Sequence, residues 1–513
     1  MDRKSTNASK KDVVKEEAIV GAPSHGYKAL EAQTGIRRLF GFAQIFAFSL
    51  TFMSTWEGMC TNMWFALYNG GPQTFAWSIV IVYVGALTQS ASLAEMASIQ
   101  PIAGAQYHWT HHLAPERWKR FITWIQGWTT WFGWVSLEAG IVNITGIILQ
   151  SLVQLKNPDY LAERWHLTLI ILAMLLVQGL MNMYTFWLIP WIELFAGIAH
   201  VCLFVVFIAV LVTLGPRHSG HFIFLEQSIS SGWSDKFVAW NLGMLTCTWS
   251  FTGFDGALHM SEEVRKASQA VPRALFWTIA LNGVLAYAMV IVILAAIGPI
   301  DEALSSNFPI IVIIQRVTSS TAATTALVTG LFVISFAVCV ASIASVSRLT
   351  WAWSRDRGLP PYFSVISRKH HVPSRAIWLV VTIVGLLSLL NIGSTAAFGA
   401  IIALSSLALY FSYFIAISCM LRARFRANPV KLGGWNLGRY GVAANVFALV
   451  YTVWIMIFLP FPNTLPVTAV NMNYCGPIFA AVLLFALSLW FLRARKHWPG
   501  PNVQIIRLVV GEE

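Results

Sequence analysis

The chain consists largely of long apolar stretches separated by short polar segments. Of its 513 residues, 57% are hydrophobic and 11% are charged, and its mean hydropathy of +0.65 is too apolar for a soluble protein of this length. A helix needs about 20 apolar residues to cross a bilayer. We therefore predict an all-α integral membrane protein with twelve spans. They lie near 40–68, 72–99, 120–152, 166–186, 187–214, 237–260, 274–298, 322–353, 376–392, 395–421, 440–461 and 473–493.

Basic residues lie almost entirely on one side of these spans. If both termini are cytoplasmic, all but five of the 34 Lys and Arg residues fall in cytoplasmic segments. The five exceptions are Lys156, Arg164, Arg217, Lys236 and Arg316. This asymmetry follows the positive-inside rule and accounts for the net charge of +12 without a nucleic-acid partner. We expect the lipid bilayer as the surroundings and the plasma membrane as the location, with the vacuolar membrane as the alternative.

Two apolar spans are interrupted by the same triplet, an aromatic residue, an acid and a glycine. The triplets are Trp56-Glu57-Gly58 in span one and Phe254-Asp255-Gly256 in span six. An acid at mid-bilayer costs at least ~2.5–3.5 kcal/mol on insertion scales and usually marks a substrate or ion path. Unwound backbone at that depth survives only where it lines a cavity. Two breaks in corresponding positions of two halves indicate the binding site of a secondary transporter.

Hydroxyl and aromatic side chains surround both triplets and predict a site for an amine. The expected substrate-binding residues are Ser54, Thr55, Trp56, Glu57, Gly58, Trp134, Glu138, Trp249, Phe251, Thr252, Gly253, Phe254 and Asp255. Trp134 and Glu138 lie four residues apart on span three and share a helical face. Aromatic faces beside carboxylates suit an ammonium group, at ~2 kcal/mol or more per desolvated cation–π contact. The alternative is that Glu57 and Asp255 cap the half-helices that begin beside them.

Three titratable side chains are candidates for carrying a coupling proton: Glu138, Glu193 and His200. Glu193 and His200 are seven residues apart, so they lie on one face of span five, about 10 Å apart along its axis. Histidine titrates near neutral pH, which suits a proton carrier. The alternative is a buried His200 bonded to a backbone carbonyl, with Glu193 paired locally.

No cofactor and no metal site are predicted. The six cysteines are dispersed in or beside the spans without a CxxC pair, so they form neither a zinc site nor a disulfide framework. The run from His108 to His112 has the H-x-x-H-H spacing of a membrane di-iron enzyme. Such a centre needs several boxes, and the other histidine cluster is only the pair His370-His371. We predict that the protein is not an enzyme. A sensor that binds substrate without moving it is a second rival.

Several segments resemble a known family. The run Phe254-Asp255-Gly256-Ala257-Leu258-His259-Met260-Ser261-Glu262-Glu263-Val264-Arg265, continuing to Val271-Pro272-Arg273-Ala274, is similar to the sixth span and following loop of the amino acid/choline transporter family. That family belongs to the amino acid–polyamine–organocation superfamily. Supporting matches are 69–72, 92–98, 101–107 and 354–360. The resemblance runs from about 40 to 495 and is closest to fungal-type choline, 4-aminobutyrate and amino acid permeases.

The resemblance implies a leucine-transporter-like fold, in which two inverted five-span repeats are followed by two extra helices. The chain would divide into an N-terminal disordered cytoplasmic tail (1–38), repeat one (39–214), repeat two (237–421), spans eleven and twelve (440–493) and a C-terminal tail (494–513). The site would lie between broken spans one and six, backed by spans three and eight. Candidates for ion pairs at a cytoplasmic gate are Glu95, Glu262, Glu263, Arg348 and Arg355, with ordinary loop solvation as the alternative.

The resemblance also implies a secondary active transporter that moves choline, 4-aminobutyrate or a related amino acid or amine, with a proton as the coupling ion. One departure narrows the substrate. Many amino acid members have a small glycine-rich break in span one that receives the substrate carboxylate, whereas this chain has Trp56 and Glu57 there. An acid repels a carboxylate and favours a cation. Export of a small nitrogenous metabolite is the alternative to uptake.

Overall fold

The computed structural model describes residues 36–306 and 308–502. Within these ranges the protein is helical, without a strand and with one isolated β-bridge between Phe40 and Val264. The predicted all-α fold is confirmed. The predicted N-terminal tail, 1–38, lies almost wholly outside the described residues, as does the end of the predicted C-terminal tail, 494–513.

The helices follow the predicted spans closely. The α-helices are α1 (Phe42–Met53), α2 (Thr55–Ile99), α3 (Gln106–Leu113), α4 (Lys119–Lys156), α5 (Arg164–Tyr184), α6 (Ile189–Leu214), α7 (Gly220–Leu225), α8 (Lys236–Ser250), α9 (Ala267–Ala296), α10 (Ile300–Leu304), α11 (Pro309–Thr318), α12 (Thr321–Arg355), α13 (Ser374–Ser388), α14 (Leu390–Gly393), α15 (Thr395–Arg424), α16 (Gly441–Phe458), α17 (Cys475–Leu489) and α18 (Arg495–His497). Short 3₁₀ helices cover Phe186–Leu188, Phe254–Glu263, Pro361–Ser364 and Gly438–Tyr440, and a π-helix covers Trp490–Ala494.

Ten helical segments in the described part of the chain are long and apolar enough to cross a membrane. One of them, Phe42–Ile99, contains predicted spans one and two, and the non-helical backbone of Gly71 (φ 73°, ψ −163°) divides it just before Pro72. Predicted span six is absent from the ten because α8 has only 15 residues and continues as a 3₁₀ helix. The count of twelve spans stays a prediction.

Spans four and five are nearly continuous in the sequence, and proline decides where they separate. Helix α5 ends at Tyr184, the short 3₁₀ helix Phe186–Leu188 follows, and α6 begins at Ile189 with Pro190 in its first turn. Proline is tolerated there because the first turn of a helix has no intrahelical acceptor for its N–H groups. The predicted division between Asn182 and Pro190 is therefore where the chain turns.

The centre of the bundle is built from the helices that bear the candidate site. In the most apolar window of α4, 72% of the residues are buried, compared with 22% for Cys475–His497. Helix α4 packs against α12 and α15, while α2 packs against α8 and α9. Spans one, three, six and eight thus surround the middle of the molecule, and spans five and twelve are the least buried of the ten segments, at 28% and 22%.

Candidate substrate site

The first span is broken at Ser54, which takes the left-handed conformation (φ 36°, ψ 47°) between α1 and α2. The N–H of Ser54 donates to the Leu50 carbonyl at 3.2 Å, and its carbonyl accepts from the N–H of Gly58 at 2.8 Å. The first turn of α2 leaves its N–H groups without an intrahelical acceptor, and its positive dipole end faces the break. The triplet Trp56–Gly58 lies in this turn, because the dipole favours an acid there. The unwound residue, Ser54, precedes the triplet.

The sixth span is broken between α8 and the 3₁₀ helix Phe254–Glu263. Gly253 takes the left-handed conformation (φ 88°, ψ 15°), which glycine adopts without the steric cost of a Cβ atom. The following 3₁₀ helix has ten residues, more than the three or four that are usual, and such stretches often mark a hinge. The triplet Phe254–Gly256 therefore lies in a tightened helix, and the left-handed position is Gly253.

The two breaks are in direct contact. A Cβ atom added to Gly58 would lie 2.9 Å from the Ser250 Oγ and 3.1 Å from its Cβ. This is closer than real Cβ atoms normally come to such neighbours. Glycine at position 58 thus lets α2 pack against the end of α8, and this contact places both interruptions at the same depth in the bundle.

Gly253→Ala is expected to destabilise the second break. The left-handed backbone costs a non-glycine residue about 1–2 kcal/mol, and the new Cβ would lie 2.5 Å from the Leu137 Cδ2. The purified variant should show a lower apparent Tm than the wild type. Gly434→Ala is the matched control, because a Cβ there meets nothing within 4 Å of the described structure. Equal Tm values for the two variants would contradict the requirement for glycine at 253.

A cavity lies beside the breaks and encloses about 640 Å³, including its open mouth. Side chains of spans one, three, six and eight line it: Phe52, Met53, Ser54, Glu57, Gly58, Thr61, Leu137, Ile141, Ile144, Ile148, Trp249, Ser250, Thr252, Leu331, Ser335 and Val338. We call this the central cavity. Of its lining residues that the structure describes, only Glu57 carries an ionisable acid, and none is Lys, Arg or His.

The central cavity brings together some of the residues that the sequence singles out, and others lie behind its wall. Those that line it are Ser54, Glu57, Gly58, Trp249 and Thr252. Those outside the lining are Thr55, Trp56, Trp134, Glu138, Phe251, Gly253, Phe254 and Asp255. Ser250, Leu137 and the aliphatic face of span eight complete the wall. A role in substrate binding stays a prediction for all of them.

Side chains of span five contact span one on both sides of the break. The Nδ1 of His200 lies 2.7 Å from the Glu57 Oε1, after the break, and the Thr51 hydroxyl donates to the Glu193 Oε2 at 2.6 Å, before it. All four side chains are buried. Hence His200 bonds to a carboxylate, whereas the alternative interpretation places it against a backbone carbonyl. Within the described chain, neither the Glu57 Oε2 nor the His200 Nε2 has a hydrogen-bond partner.

Asp255 is held by other side chains and does not reach the central cavity. Its Oδ2 accepts from the Trp134 Nε1 at 3.1 Å and from Gln106, and its Oδ1 accepts from the Tyr413 hydroxyl. The His259 Nε2 lies 3.8 Å from the Oδ2. Among the hydrogen bonds described, neither Asp255 nor Glu57 accepts from a helix N–H, so neither acts as a hydrogen-bonding cap. Asp255 instead ties the second break to spans three and ten.

The predicted aromatic residues Trp56 and Phe254 pack behind the wall of the central cavity. The Trp56 ring lies 5.3 Å from that of Phe207 and 5.9 Å from that of His200. The ring of Phe254 lies 5.0 Å from that of Tyr413. These contacts orient the triplets, while Phe52 and Trp249 present the aromatic faces that line the cavity itself.

Glu138 is fully buried at the contact between spans three and eight. Its carboxyl group faces Ser342 and Cys339, but neither oxygen makes a hydrogen bond of normal geometry within residues 36–306 and 308–502. The Thr145 hydroxyl lies 2.6 Å from the Ser335 hydroxyl and 3.2 Å from the Cys339 sulfur. Because Ser335 lines the central cavity, these polar groups connect the cavity wall to the neighbourhood of Glu138.

The predicted cytoplasmic gate residues form ion pairs at one end of the bundle. The Arg348 Nε donates to the Glu263 Oε1 at 2.8 Å, and both side chains are 1% exposed. Arg355 donates to Glu262 from two nitrogens, at 3.0 and 3.2 Å. Glu95 pairs with Arg424, which the prediction did not include. These contacts join spans six and eight, and spans two and ten, and a gating role for them stays a prediction.

Other residues near this end escaped the sequence analysis. The Asp356 Oδ2 accepts from the Tyr107 hydroxyl at 2.7 Å and lies 2.8 Å from the His108 Nε2. Burial alone would raise the pKa of the Asp356 carboxyl, but the neighbouring His108 and Arg355 lower it below its usual value. His108, the first histidine of the iron-box spacing, thus pairs with a carboxylate after span eight. Gln106 and Tyr107 lie in the 101–107 motif, which was the available signal.

The opposite end of the bundle also contains a cavity. A second cavity lies between spans one, three, six, ten and eleven and shares Thr61, Ile144 and Trp249 with the central cavity. Its lining also includes Asn463 and Asn473, in the connection between α16 and α17. The two cavities are therefore neighbours, and the second lies toward the end that the positive-inside rule assigns to the outside, whereas ion pairs occupy the other end.

A cavity between two broken helices, in a bundle of apolar spans, is the architecture of a multi-pass membrane transporter. Comparison with known proteins agrees with this class and indicates the family. The model of the amino acid permease family ("Amino acid permease") matches residues 40–487, and the chain belongs to this family. The protein is thus an integral membrane transporter and not an enzyme, as the sequence predicts.

Relatives match over nearly the whole chain. A choline transporter of Saccharomyces cerevisiae is 28% identical, over 96% of this chain and 89% of its own. A putative amino acid/polyamine transporter of Macrophomina phaseolina is 30% identical, over 83% of this chain and 96% of its own. Amino-acid permease 2 of Neurospora crassa is 29% identical, over 94% of this chain and 92% of its own. The relatives' names therefore refer to choline, amino acids and polyamines.

Proposed function

We propose that the protein takes up a small amine or amino acid that carries an ammonium group, by alternating access. Choline, 4-aminobutyrate and related compounds belong to this class. The observation that carries the proposal is the charge of the central cavity, in which Glu57 is the one ionisable side chain among the described lining residues. An ammonium group beside it would neutralise a carboxylate that is otherwise buried at a break in the membrane-spanning region.

The geometry around Glu57 suits a cation. Its Oε1 is engaged by His200, which leaves the Oε2 for a ligand. Phe52 and Trp249 line the same cavity, and aromatic faces attract a desolvated cation by about 2 kcal/mol or more. A substrate carboxylate, where there is one, would find N–H groups at the start of α2, next to Ser54, where a helix dipole favours an anion. A cation such as choline needs only the contacts with Glu57 and the aromatic rings, whereas a zwitterion must also place its carboxylate in the turn that contains Glu57, which repels it.

The driving force depends on the substrate's charge. Moving one positive charge across a potential of ~150 mV is worth about 3.5 kcal/mol, or roughly 300-fold accumulation, so a fixed cation needs no coupled ion. A zwitterion gains nothing from the potential and needs one. We assign the coupling proton to the Glu57–His200 pair, with Glu193 and Glu138 as further candidates, because the pair links the cavity to a histidine at 2.7 Å.

Alternating access would use the two ends of the bundle. The central cavity shares three lining residues with the cavity at the predicted outer end, while Glu262–Arg355 and Glu263–Arg348 pair at the other end. We propose that these pairs separate when the site opens to the cytoplasm, and that the protein resides in the plasma membrane with both termini inside. The excess of Lys and Arg on that side supports the orientation.

The test is uptake by the full chain reconstituted in liposomes. Labelled choline and labelled 4-aminobutyrate would each be offered with an inside-negative potential and, separately, with a pH gradient. We expect choline uptake with the potential alone, and uptake of 4-aminobutyrate only with the pH gradient. His200→Gln should remove the response to the pH gradient and spare potential-driven choline uptake. Binding of either compound without flux would contradict transport and indicate a sensor. Flux only from the cytoplasmic face of the protein to its outer face would indicate an exporter.

A further inference from the structure

A third pocket, which is strongly basic, lies at the end of the bundle that is predicted to face the cytoplasm. Its described lining consists of Ile36, Arg37, Arg38, Leu39, Gly41, Phe42, Arg265, Lys266, Gln269, Ala270 and Arg273. Five of these residues are basic, and none of those described is acidic. We propose that this basic pocket binds the phosphorylated headgroup of an anionic lipid. The proposal goes beyond transport, because it concerns a site far from the central cavity and needs no flux.

Backbone pairing builds the pocket from two distant segments. The Phe40 N–H donates to the Glu263 carbonyl at 3.1 Å, and the Arg265 N–H donates to the Phe40 carbonyl at 2.9 Å. This bridge places the residues before α1 beside those before α9, so both helices begin at the pocket, at Phe42 and Ala267. Each helix N-terminus adds about half a positive charge, and such ends bind phosphate groups.

The nearest acids on this segment do not neutralise the pocket. Glu263 is buried and paired with Arg348, and Glu262 is buried and paired with Arg355. Both carboxylates therefore point into the bundle, away from the surface. Arg265, Lys266 and Arg273, in contrast, are exposed. These three side chains thus keep positive charge at the surface of the pocket, which is the condition for attracting an anion.

The surface of α9 supports placing the pocket at the depth of lipid headgroups. Arg273, Trp277, Leu281 and Val284 follow one another at spacings of three or four residues, so they form one stripe along the helix. Trp277 is 55% exposed, Leu281 37% and Val284 57%. Tryptophan is enriched at the membrane interface, and aliphatic side chains meet the acyl chains. The order charge, tryptophan, aliphatic therefore runs from headgroup to hydrocarbon, and Phe42, 47% exposed, lies at the pocket's rim.

These observations favour a lipid over a soluble anion. Basic pockets between membrane helices on the cytoplasmic side recognise phosphorylated lipid headgroups. A lipid would place its phosphates beside Arg265, Lys266 and Arg273 and its acyl chains along the exposed stripe of α9, so both parts of the molecule gain contacts. A free phosphate compound would gain only the first. The site therefore predicts tighter binding of the lipid than of its water-soluble headgroup.

The experiment measures binding to the full chain in phosphatidylcholine nanodiscs. Fluorescent phosphatidylinositol bisphosphate and soluble inositol trisphosphate would be titrated separately into the wild type, Arg265→Gln/Lys266→Gln/Arg273→Gln, and Arg273→Gln alone. The matched control is Arg368→Gln/Lys369→Gln/Arg422→Gln, which removes the same charge from exposed positions on the same predicted side. Apparent Tm values would establish that each variant is folded.

Each surface cation contributes about fivefold to the affinity. We therefore expect affinity for the lipid to fall on the order of 100-fold in the pocket triple variant and about fivefold in Arg273→Gln, and to change by much less in the control. Equal losses in both triple variants would indicate general surface attraction and overturn the site. Equal binding of inositol trisphosphate and lipid would overturn the assignment to a lipid, and absence of lipid binding to the wild type would overturn the proposal altogether.

Discussion

Replacing Glu57 by Gln is expected to lower uptake of a cationic substrate such as choline by about 30-fold or more, while the protein still reaches the membrane. Removing one partner of a buried charge pair costs about 2–5 kcal/mol, and 2 kcal/mol corresponds to roughly 30-fold. Glu57 lines the central cavity and accepts a bond from His200 through only one of its two oxygens. The measurement is initial uptake per molecule of protein at the cell surface.

Two comparisons separate charge from structure at this position. Glu57→Asp keeps the charge and should retain part of the uptake, since its carboxylate is only one methylene shorter. The uncharged carbon analogue of choline should compete poorly with choline in the wild type, and this preference for the charged compound should disappear in Glu57→Gln. Normal uptake by the Gln variant at equal surface abundance would show that this carboxylate does not meet the ammonium group. Reduced delivery with normal uptake per molecule would indicate a purely structural role in the first turn of α2.

Glu263→Gln is expected to destabilise the protein by about 3–5 kcal/mol, because it leaves Arg348 buried without its charge partner. Both side chains are 1% exposed and joined at 2.8 Å. The guanidinium also lies 4.0 Å from the Phe186 ring centroid, so Arg348 cannot reach water without leaving this packing. A lower apparent Tm and reduced surface delivery would measure the effect.

The double variant Glu263→Gln/Arg348→Met tests whether the loss comes from the unpaired charge. Removing both charges should restore most of the stability, since replacing a buried ion pair by apolar groups is often neutral. Glu302→Gln is the matched control, because Glu302 pairs with Arg316 at 2.6 Å but is 45% exposed, and surface pairs contribute about 0–1 kcal/mol. Similar Tm losses in the Glu263 and Glu302 variants would contradict a special role for burial. If the pair also closes the cytoplasmic side, the stable double variant should leak substrate in the absence of a gradient.

The two breaks were predictable from the sequence, but not the residues that unwind. A carboxylate and a glycine in an apolar run indicate a departure from a regular spanning helix, and both spans are interrupted. The left-handed residues are Ser54, two residues before its triplet, and Gly253, directly before its triplet. The acid prefers the first turn of the new helix, so the chain opens one step earlier. The residue types determine roughly where the helix breaks, and the packing of Gly58 against Ser250 determines which residue unwinds.

Helical spacing predicted that Glu193 and His200 share a face, and the structure shows what that face meets. Glu193 bonds to Thr51 and His200 to Glu57, on opposite sides of the Ser54 break. Spacing along one helix reports direction, whereas the partner depends on which helix packs against it. The pairing of a span-five histidine with the span-one acid was therefore not available from the sequence.

Asp255 and Glu57 occupy the same position in two similar triplets, but their surroundings differ. Asp255 accepts bonds from Trp134, Gln106 and Tyr413, whereas Glu57 lines the cavity beside one histidine. Gln106 and Tyr413 lie more than a hundred residues from Asp255 in the chain, so no local pattern associates them. The equivalence of the two acids in the sequence is lost once spans three and ten approach the second break.

The sequence by itself determined the class of the protein: apolar runs that must satisfy their backbone as helices in lipid, basic loops on one side, and two spans that carry acids at membrane depth. These features are local, since each depends on residues within one span. The tertiary structure decided which carboxylate lines the cavity, which is held by other side chains, and which arginine pairs with each acid at the end that carries the ion pairs. Those properties depend on the desolvation and pairing of each charge by groups distant in the chain, which only the packing of the helices brings together.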